Sequence, residues 1–105
     1  MIQHVGLECA DLDAEVAFWE LLGFAEVPSP APPSRWLQRG GTQVHLLPAE
    51  RPAVAGHVAV VVDDYERVRE ALGGAPRKEY WGAPRTQVRS PNGHLVELMA
   101  APPAS

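Results

Sequence analysis

The chain has 105 residues, of which 46% are hydrophobic and 21% are charged, values close to those of an average soluble globular domain. Its formal net charge of −4 argues against a surface for nucleic acid or an anionic membrane, since both need concentrated positive charge. The single cysteine, Cys9, excludes a disulfide scaffold and a cysteine-based zinc knuckle. We therefore expect one domain over residues 1–105 with a small-molecule or protein partner.

The sequence carries no sign of export or membrane insertion. It begins Met-Ile-Gln-His, without the basic and apolar stretches of a secretory signal. The longest apolar run, Val58 to Val62, is far too short to cross a bilayer. We expect a cytoplasmic protein.

The first half of the chain has the pattern of one strand, one helix and three further strands. β-branched and polar residues from Ile2 to Cys9 predict a strand. Asp11 is placed to cap a helix that Gly23 ends. The apolar face of this helix has helical spacing and consists of Leu12, Val16, Trp19 and Leu22. Three more strands are predicted at Phe24–Val27, Arg35–Arg39 and Thr42–Leu47.

Glycine and proline mark the connections in this half. Gly40-Gly41 separates two predicted strands and indicates a hairpin turn in which both positions take positive φ. The segment Ser29–Ser34 contains three prolines and is expected to be an exposed loop.

The same order of elements restarts after a linker at 49–56. His57–Val62 predicts a strand, and Asp63 or Asp64 is placed to cap the next helix. That helix carries apolar residues on one face and ends at two glycines, in the order Tyr65, Val68, Leu72 and Gly73-Gly74. Three strands are predicted at Lys78–Tyr80, Thr86–Arg89 and Leu95–Met99, the last two joined by the turn Ser90–Gly93.

The two halves align as a tandem repeat. His4-Val5-Gly6-Leu7 superimposes on His57-Val58-Ala59-Val60, and the same shift brings Asp11 onto Asp64. The chain is therefore expected to be an α+β domain of two tandem βαβββ modules, the first at 1–48 and the second at 57–100, with a tail at 101–105.

Four side chains occupy matched places in the two modules. His4 and His57 lie on the first strands, while His45 and Glu97 lie on the last. Because side chains alternate along a strand, all four face one shared cup if the modules pack about a pseudo-two-fold axis. Three imidazoles and one carboxylate suit Zn, Ni, Co, Mn or Fe better than Ca or Mg. The pattern predicts a divalent metal site.

Each ligand has a simpler interpretation when taken alone. A histidine at the start of a strand is usually a half-exposed or hydrogen-bonded residue, as His4 or His57 would be. Glu97 is different, because a carboxylate between Val96 and Leu98 is costly if it is buried without a partner.

Other residues carry less information. Trp36 and Trp81 are candidates for the walls of a substrate pocket, or else for core and pocket rim. Glu8 shares the face of His4 and is either an acid at the pocket mouth or a solvated strand end. Cys9 has the opposite parity and is expected to be a packed thiol. His94 has the opposite parity to Glu97 and is left out of the site.

This arrangement resembles the vicinal oxygen chelate superfamily, which includes glyoxalase I, bleomycin-resistance proteins, fosfomycin-resistance enzymes, methylmalonyl-CoA epimerase and extradiol dioxygenases. The likeness covers about residues 2–100. Residues 9–24, ending in Leu-Gly-Phe, look like the family's first helix and its exit, and Ser90–Leu98 looks like its final turn and strand. The resemblance implies a cupped, mostly antiparallel mixed sheet with the helices on its outer side.

The resemblance also implies a ligand set and a reaction class. His4, His57 and Glu97 match the family's two histidines and one carboxylate, while His45 stands where glyoxalase I has a glutamate and the epimerase a glutamine. This departure argues against simple glyoxalase I activity. What is implied is a metal-dependent isomerase, epimerase or lyase whose substrate chelates the metal through vicinal oxygens, with Glu97 or an unligated His45 as general base. A homodimer that completes the cup is also implied.

Two alternatives come from the same superfamily. One is a metal-free binding protein of the bleomycin-resistance type, which would hold a planar compound between Trp36, Trp81 and the cup. The other is an extradiol dioxygenase in which His4, His57 and Glu97 form a facial triad for iron.

Overall fold

The computed structural model describes residues 1–75 and 83–102. It contains two helices and two sheets in the predicted order. The elements are β1 (His4–Cys9), α1 (Leu12–Leu21), β2 (Ala25–Val27), β3 (Arg35–Arg39), β4 (Thr42–Pro48), β5 (His57–Val61), α2 (Tyr65–Ala71), β6 (Arg85–Arg89) and β7 (Leu95–Met99). The strand predicted at Lys78–Tyr80 and the side chain of Trp81 lie outside the described residues.

The two sheets have matching topology. The first has the strand order β1-β4-β3-β2, and the second has the order β5-β7-β6. In both sheets the module's first strand runs parallel to its last, while the other pairings are antiparallel. The predicted α+β fold of two repeated modules is therefore confirmed, and element boundaries differ from the predicted ones by one or two residues.

Helix α1 covers one face of the first sheet. The Asp11 carboxylate accepts a hydrogen bond from the Ala14 amide at 3.0 Å and caps the helix as predicted. Trp19 is completely buried and makes edge-to-face contacts with Phe18 and Phe24. The sheet supplies the other side of this core through Leu37, Val44 and Leu46, all nearly inaccessible to solvent. Helix α1 leaves the opposite face of this sheet uncovered.

Two local predictions need correction. Asp64 does stand at the N-cap of α2, but its backbone is left-handed, with a φ of 52°. Its carboxylate therefore pairs with the Arg67 guanidinium at 3.0 Å, and the helix is entered without the expected side-chain cap. In the β3–β4 hairpin only the first glycine, Gly40, takes a positive φ, at 57°. Some two-residue hairpin turns need a positive φ only at their first central position.

The turn between β6 and β7 joins the second module to the start of α1. The Asn92 side-chain oxygen accepts hydrogen bonds from the amides of Ala10 and Asp11, both at 2.8 Å. Its side-chain nitrogen donates to the Asp11 carbonyl at 2.8 Å and to Glu15 at 2.9 Å. The fully buried Glu15 carboxylate also accepts from the Trp19 indole at 2.9 Å. One side-chain amide of the second module thus bonds to four polar groups of the first.

Within the described part of the chain, neither helix is long and apolar enough to span a membrane.

Asn92→Ala should lower the free energy of unfolding by about 2 to 3 kcal/mol, because it removes a hydrogen bond from the buried Glu15 carboxylate and leaves the amides of Ala10 and Asp11 without their side-chain acceptor. Urea unfolding followed by tryptophan fluorescence measures this loss. Arg67→Ala, which removes an exposed ion pair on α2, is the matched control and should cost less than about 0.5 kcal/mol. Equal stabilities of the two variants would contradict the role assigned to Asn92.

Candidate functional site

Three aromatic rings share the open face of the first sheet. The register places His45 opposite Gly6 on β1 and opposite Trp36 on β3, while His4 lies two residues before Gly6. Residues at alternate positions, and directly opposed residues, project from the same face. His4, His45 and Trp36 therefore project together on the side of the sheet away from α1.

These rings form a continuous stack. The His4 and His45 ring centroids are 4.1 Å apart with an interplanar angle of 15°. The Trp36 and His45 centroids are 3.7 Å apart with an angle of 4°. His45 comes from the strand between the other two, so its ring lies in the middle of the stack with a neighbour on each face.

Glutamine side chains hold the edges of both imidazoles. His4 Nδ1 bonds to Gln3 Oε1 at 2.8 Å, and His45 Nε2 bonds to Gln43 Oε1 at 2.8 Å. Gln43 in turn donates its amide to Gln38 Oε1 at 2.8 Å. Burial, followed by the nearby charge of His4, lowers the pKa of His45. The neutral form of the central imidazole is favoured by these surroundings.

The second sheet carries Glu97 in a buried ion pair. Glu97 is only 3% exposed, and its Oε1 accepts from Arg85 Nη1 at 3.0 Å and from Gln87 Nε2 at 3.1 Å. Glu97 lies opposite Ala59 on β5, so strand alternation puts His57 on the same face of the sheet. Arg85 is the charged partner that this buried carboxylate requires.

A cleft connects the first strands of the two modules. Its volume is about 460 Å³, within the range of small-molecule sites, and its walls include both His4 and His57. The remaining walls are apolar or small, and they comprise Ile2, Val5, Thr42, Val58 and Ala59. A larger cleft of about 530 Å³ lies near α1 and is mainly apolar, with Arg39 and Thr42 as its polar side chains.

The structure brings the four predicted ligands together only in part. His4 contacts His45 and shares a cleft with His57, while Glu97 bonds to Arg85 and Gln87. Among residues 1–75 and 83–102, no group of three or more His, Cys, Asp or Glu side chains is gathered as a metal site. The complete ligand set therefore stays a prediction.

The weaker candidates have structural roles. The half-buried Glu8 accepts a hydrogen bond from the Ala53 amide at 2.9 Å and so ties down the linker between the modules. His94 is buried, with its Nε2 2.7 Å from the Glu8 carbonyl oxygen. Cys9 is 1% exposed, which confirms the packed thiol. Burial, helped by the charges of Glu15 and Asp11, raises the pKa of Cys9 to about 12.

The sequence interpretation missed Arg85 and Gln87. The signal was available, because the tight turn Ser90–Gly93 pairs Arg89 with Leu95 and, two residues further along each strand, Gln87 with Glu97. Counting outward from that turn would have found the side chains beside the carboxylate.

Comparison with known proteins identifies the fold. No protein-family model and no curated protein matches the sequence. Solved structures do match, among them lactoylglutathione lyase from Agrobacterium tumefaciens, with 20% identity, a TM-score of 0.68, and coverage of 94% of this chain and 92% of that chain. Fosfomycin resistance protein FosX from Listeria monocytogenes has 19% identity, a TM-score of 0.73, and coverage of 97% and 91%.

The chain has the vicinal oxygen chelate fold. FosX from Mesorhizobium loti agrees, with 19% identity, a TM-score of 0.73, and coverage of 97% of this chain and 92% of that chain. The likeness spans both modules of the vicinal oxygen chelate fold, which confirms the resemblance inferred from the repeated sequence pattern.

Cys9 should be inert toward iodoacetamide in the folded protein at neutral pH. A pKa raised from 9.0 to about 12 reduces the thiolate fraction roughly a thousandfold, and burial blocks access as well. Mass spectrometry after timed alkylation measures the reaction. Protein unfolded in urea is the control and should alkylate fully, whereas rapid alkylation of the native protein would contradict the packed position of the thiol.

Proposed function

We propose that this protein is a metal-dependent enzyme of the isomerase, epimerase or lyase class, acting on a small substrate that presents two neighbouring oxygens. The observation that carries the proposal is Glu97, a buried carboxylate on the same sheet face as His57. His4 lines the cleft that His57 also lines. Two imidazoles and one carboxylate would hold Zn, Ni, Co, Mn or Fe.

The surroundings of Glu97 fit a metal-ligating carboxylate. Both of its donors, Arg85 Nη1 and Gln87 Nε2, reach the same oxygen, Oε1. Donors of this kind orient a carboxylate that binds a metal through its other oxygen, which here is Oε2. The positive charge of Arg85 opposes a cation nearby, so we expect a site of moderate affinity.

His4 fits the same chemistry. Its Nδ1 is engaged by Gln3, and metal-ligating histidines commonly donate their other ring N–H to a neighbouring acceptor. The ring nitrogen left for a metal is Nε2. A bound divalent ion would stabilise negative charge on the substrate's oxygens.

The remaining tasks fall to residues of the chain itself. The cleft between β1 and β5 would hold the substrate against His4 and His57, and Ala59 leaves space beside them. Glu97 or His45 would move the proton, since both lie on the faces that carry the predicted ligands. Trp36 lies on the same sheet face as His4 and His45, whereas its predicted partner Trp81 lies outside the described residues.

A homodimer would complete the cup. The sheet face that carries the histidines is open in one chain, where Leu47 is 39% exposed beside the buried core positions of β4. A second copy would cover Leu47 and could bring the second-module face that carries Glu97 opposite the face that carries His4, His45 and Trp36.

Protein purified without a histidine tag should contain a divalent transition metal by elemental analysis. His57→Ala should lower metal affinity by at least about 10- to 100-fold. Loss of an outer-shell partner already weakens metal binding by this factor, and His57 would be a direct ligand. Glu50→Gln, an exposed acidic residue, is the control and should retain the metal. Equal metal content in both variants would count against the proposed centre.

The homodimer has a separate test. Sedimentation at micromolar concentration should give about twice the 11.4 kDa mass of one chain, and Leu47→Asp should shift the protein toward monomer. The matched control is Val54→Asp, an exposed apolar residue of the linker that is 43% accessible. A monomeric wild-type protein would refute the dimer.

The Arg85–Glu97 ion pair favours a second candidate function. With its carboxylate already neutralised, the same cup would suit a metal-free protein of the bleomycin-resistance type that binds a planar compound against Trp36. Ligand binding that survives treatment with a chelator would support this alternative over the enzyme.

A further inference from the structure

The ring stack restricts which imidazoles can share a metal. The lone pair of a ring nitrogen lies in the plane of its ring, and a zinc-like ion sits about 2.1 Å from that nitrogen. The planes of His4 and His45 run side by side, 15° from parallel with centroids 4.1 Å apart. Both lone pairs cannot point at one ion unless one of the rings turns away from the stack.

His45 is the ring that is held in place. Trp36 covers one of its faces and His4 the other. Its Nε2 is bonded to Gln43, and Gln43 is itself held by Gln38. Turning His45 toward a metal would break all of these contacts, so its ring behaves as a fixed surface.

His4 is stacked on one ring face only, and it keeps a nitrogen for a ligand. One face of its ring lies against His45, and Nδ1 bonds to Gln3 Oε1. An amide oxygen only accepts hydrogen bonds, so Nδ1 carries the hydrogen and Nε2 carries the lone pair.

We propose that Trp36 and His45 form a stacking platform that positions His4 as the metal-binding imidazole of the first module. His45 is then a positioning residue, and the first module contributes one ligand instead of two. This inference rests on the proposed metal centre, and it removes His45 from the four-ligand set and from proton transfer. It explains how a histidine can stand at the position where glyoxalase I has a glutamate.

Titration of the metal-free protein with cobalt(II) tests the platform. His45→Phe keeps a flat ring for stacking but cannot bind a metal, so it should bind cobalt(II) nearly as well as wild type and give the same visible spectrum. His45→Ala removes the ring and should weaken binding about 10- to 100-fold, the size of an outer-shell effect, again without changing the spectrum.

Two results would overturn the platform. If His45→Phe loses cobalt(II) as completely as His57→Ala, His45 is a ligand. If His45→Ala binds like wild type, the stack does not position His4.

A second measurement needs no metal. Two-bond proton–nitrogen NMR correlations on the metal-free protein should show His4 as the Nδ1–H tautomer, both in wild type and in His45→Phe, with Gln3→Leu removing that preference. The Nε2–H tautomer in wild type would refute the inference. Should wild type fail to bind cobalt(II) at all, the proposed function fails, while the His4 tautomer still decides whether the first-module rings are arranged as inferred.

Discussion

The hydrogen bonds between Asn92 and Glu15 are the constraint on which the relative placement of the two modules depends. Each half-chain is too small to support its own core, so the modules have to share one. Asn92 lies in the turn that leads into β7, and Glu15 lies in the middle of α1. Because the turn is fixed to the helix, the strand that carries Glu97 starts from a defined point relative to the first sheet. The junction therefore governs where the second-module carboxylate lies.

The second sheet buries an ion pair between Arg85 and Glu97. A buried ion pair such as Arg85–Glu97 contributes little net stability, because desolvation of both groups offsets most of their attraction. Apolar residues at these positions would stabilise the sheet at least as well, which makes function the better reason for the pair. Gln87 supports this interpretation, since its second hydrogen bond to the same oxygen holds the carboxylate in one orientation.

Sequence patterns predicted most of the fold but only part of the site. Periodicity and turn residues located the elements, and strand parity correctly put His4 and His45 on one face while excluding His94. Parity assigns a face without giving ring orientation, so it did not reveal that His45 stacks between His4 and Trp36. It also says nothing about cross-strand neighbours unless the register is counted from a turn, which is why Arg85 was missed.

The residue that joins the modules is also a chemical weak point. Asn92 precedes Gly93. An unhindered glycine backbone nitrogen readily attacks the side-chain carbonyl carbon of a preceding asparagine, which expels ammonia and forms a succinimide that water opens to aspartate or isoaspartate. The folded protein opposes this reaction, because the Asn92 amide is held by Ala10, Asp11 and Glu15. Once formed, a carboxylate there would face that of Glu15 and repel it. Deamidation of Asn92, once it occurs, would therefore weaken the contact between the two halves of the chain.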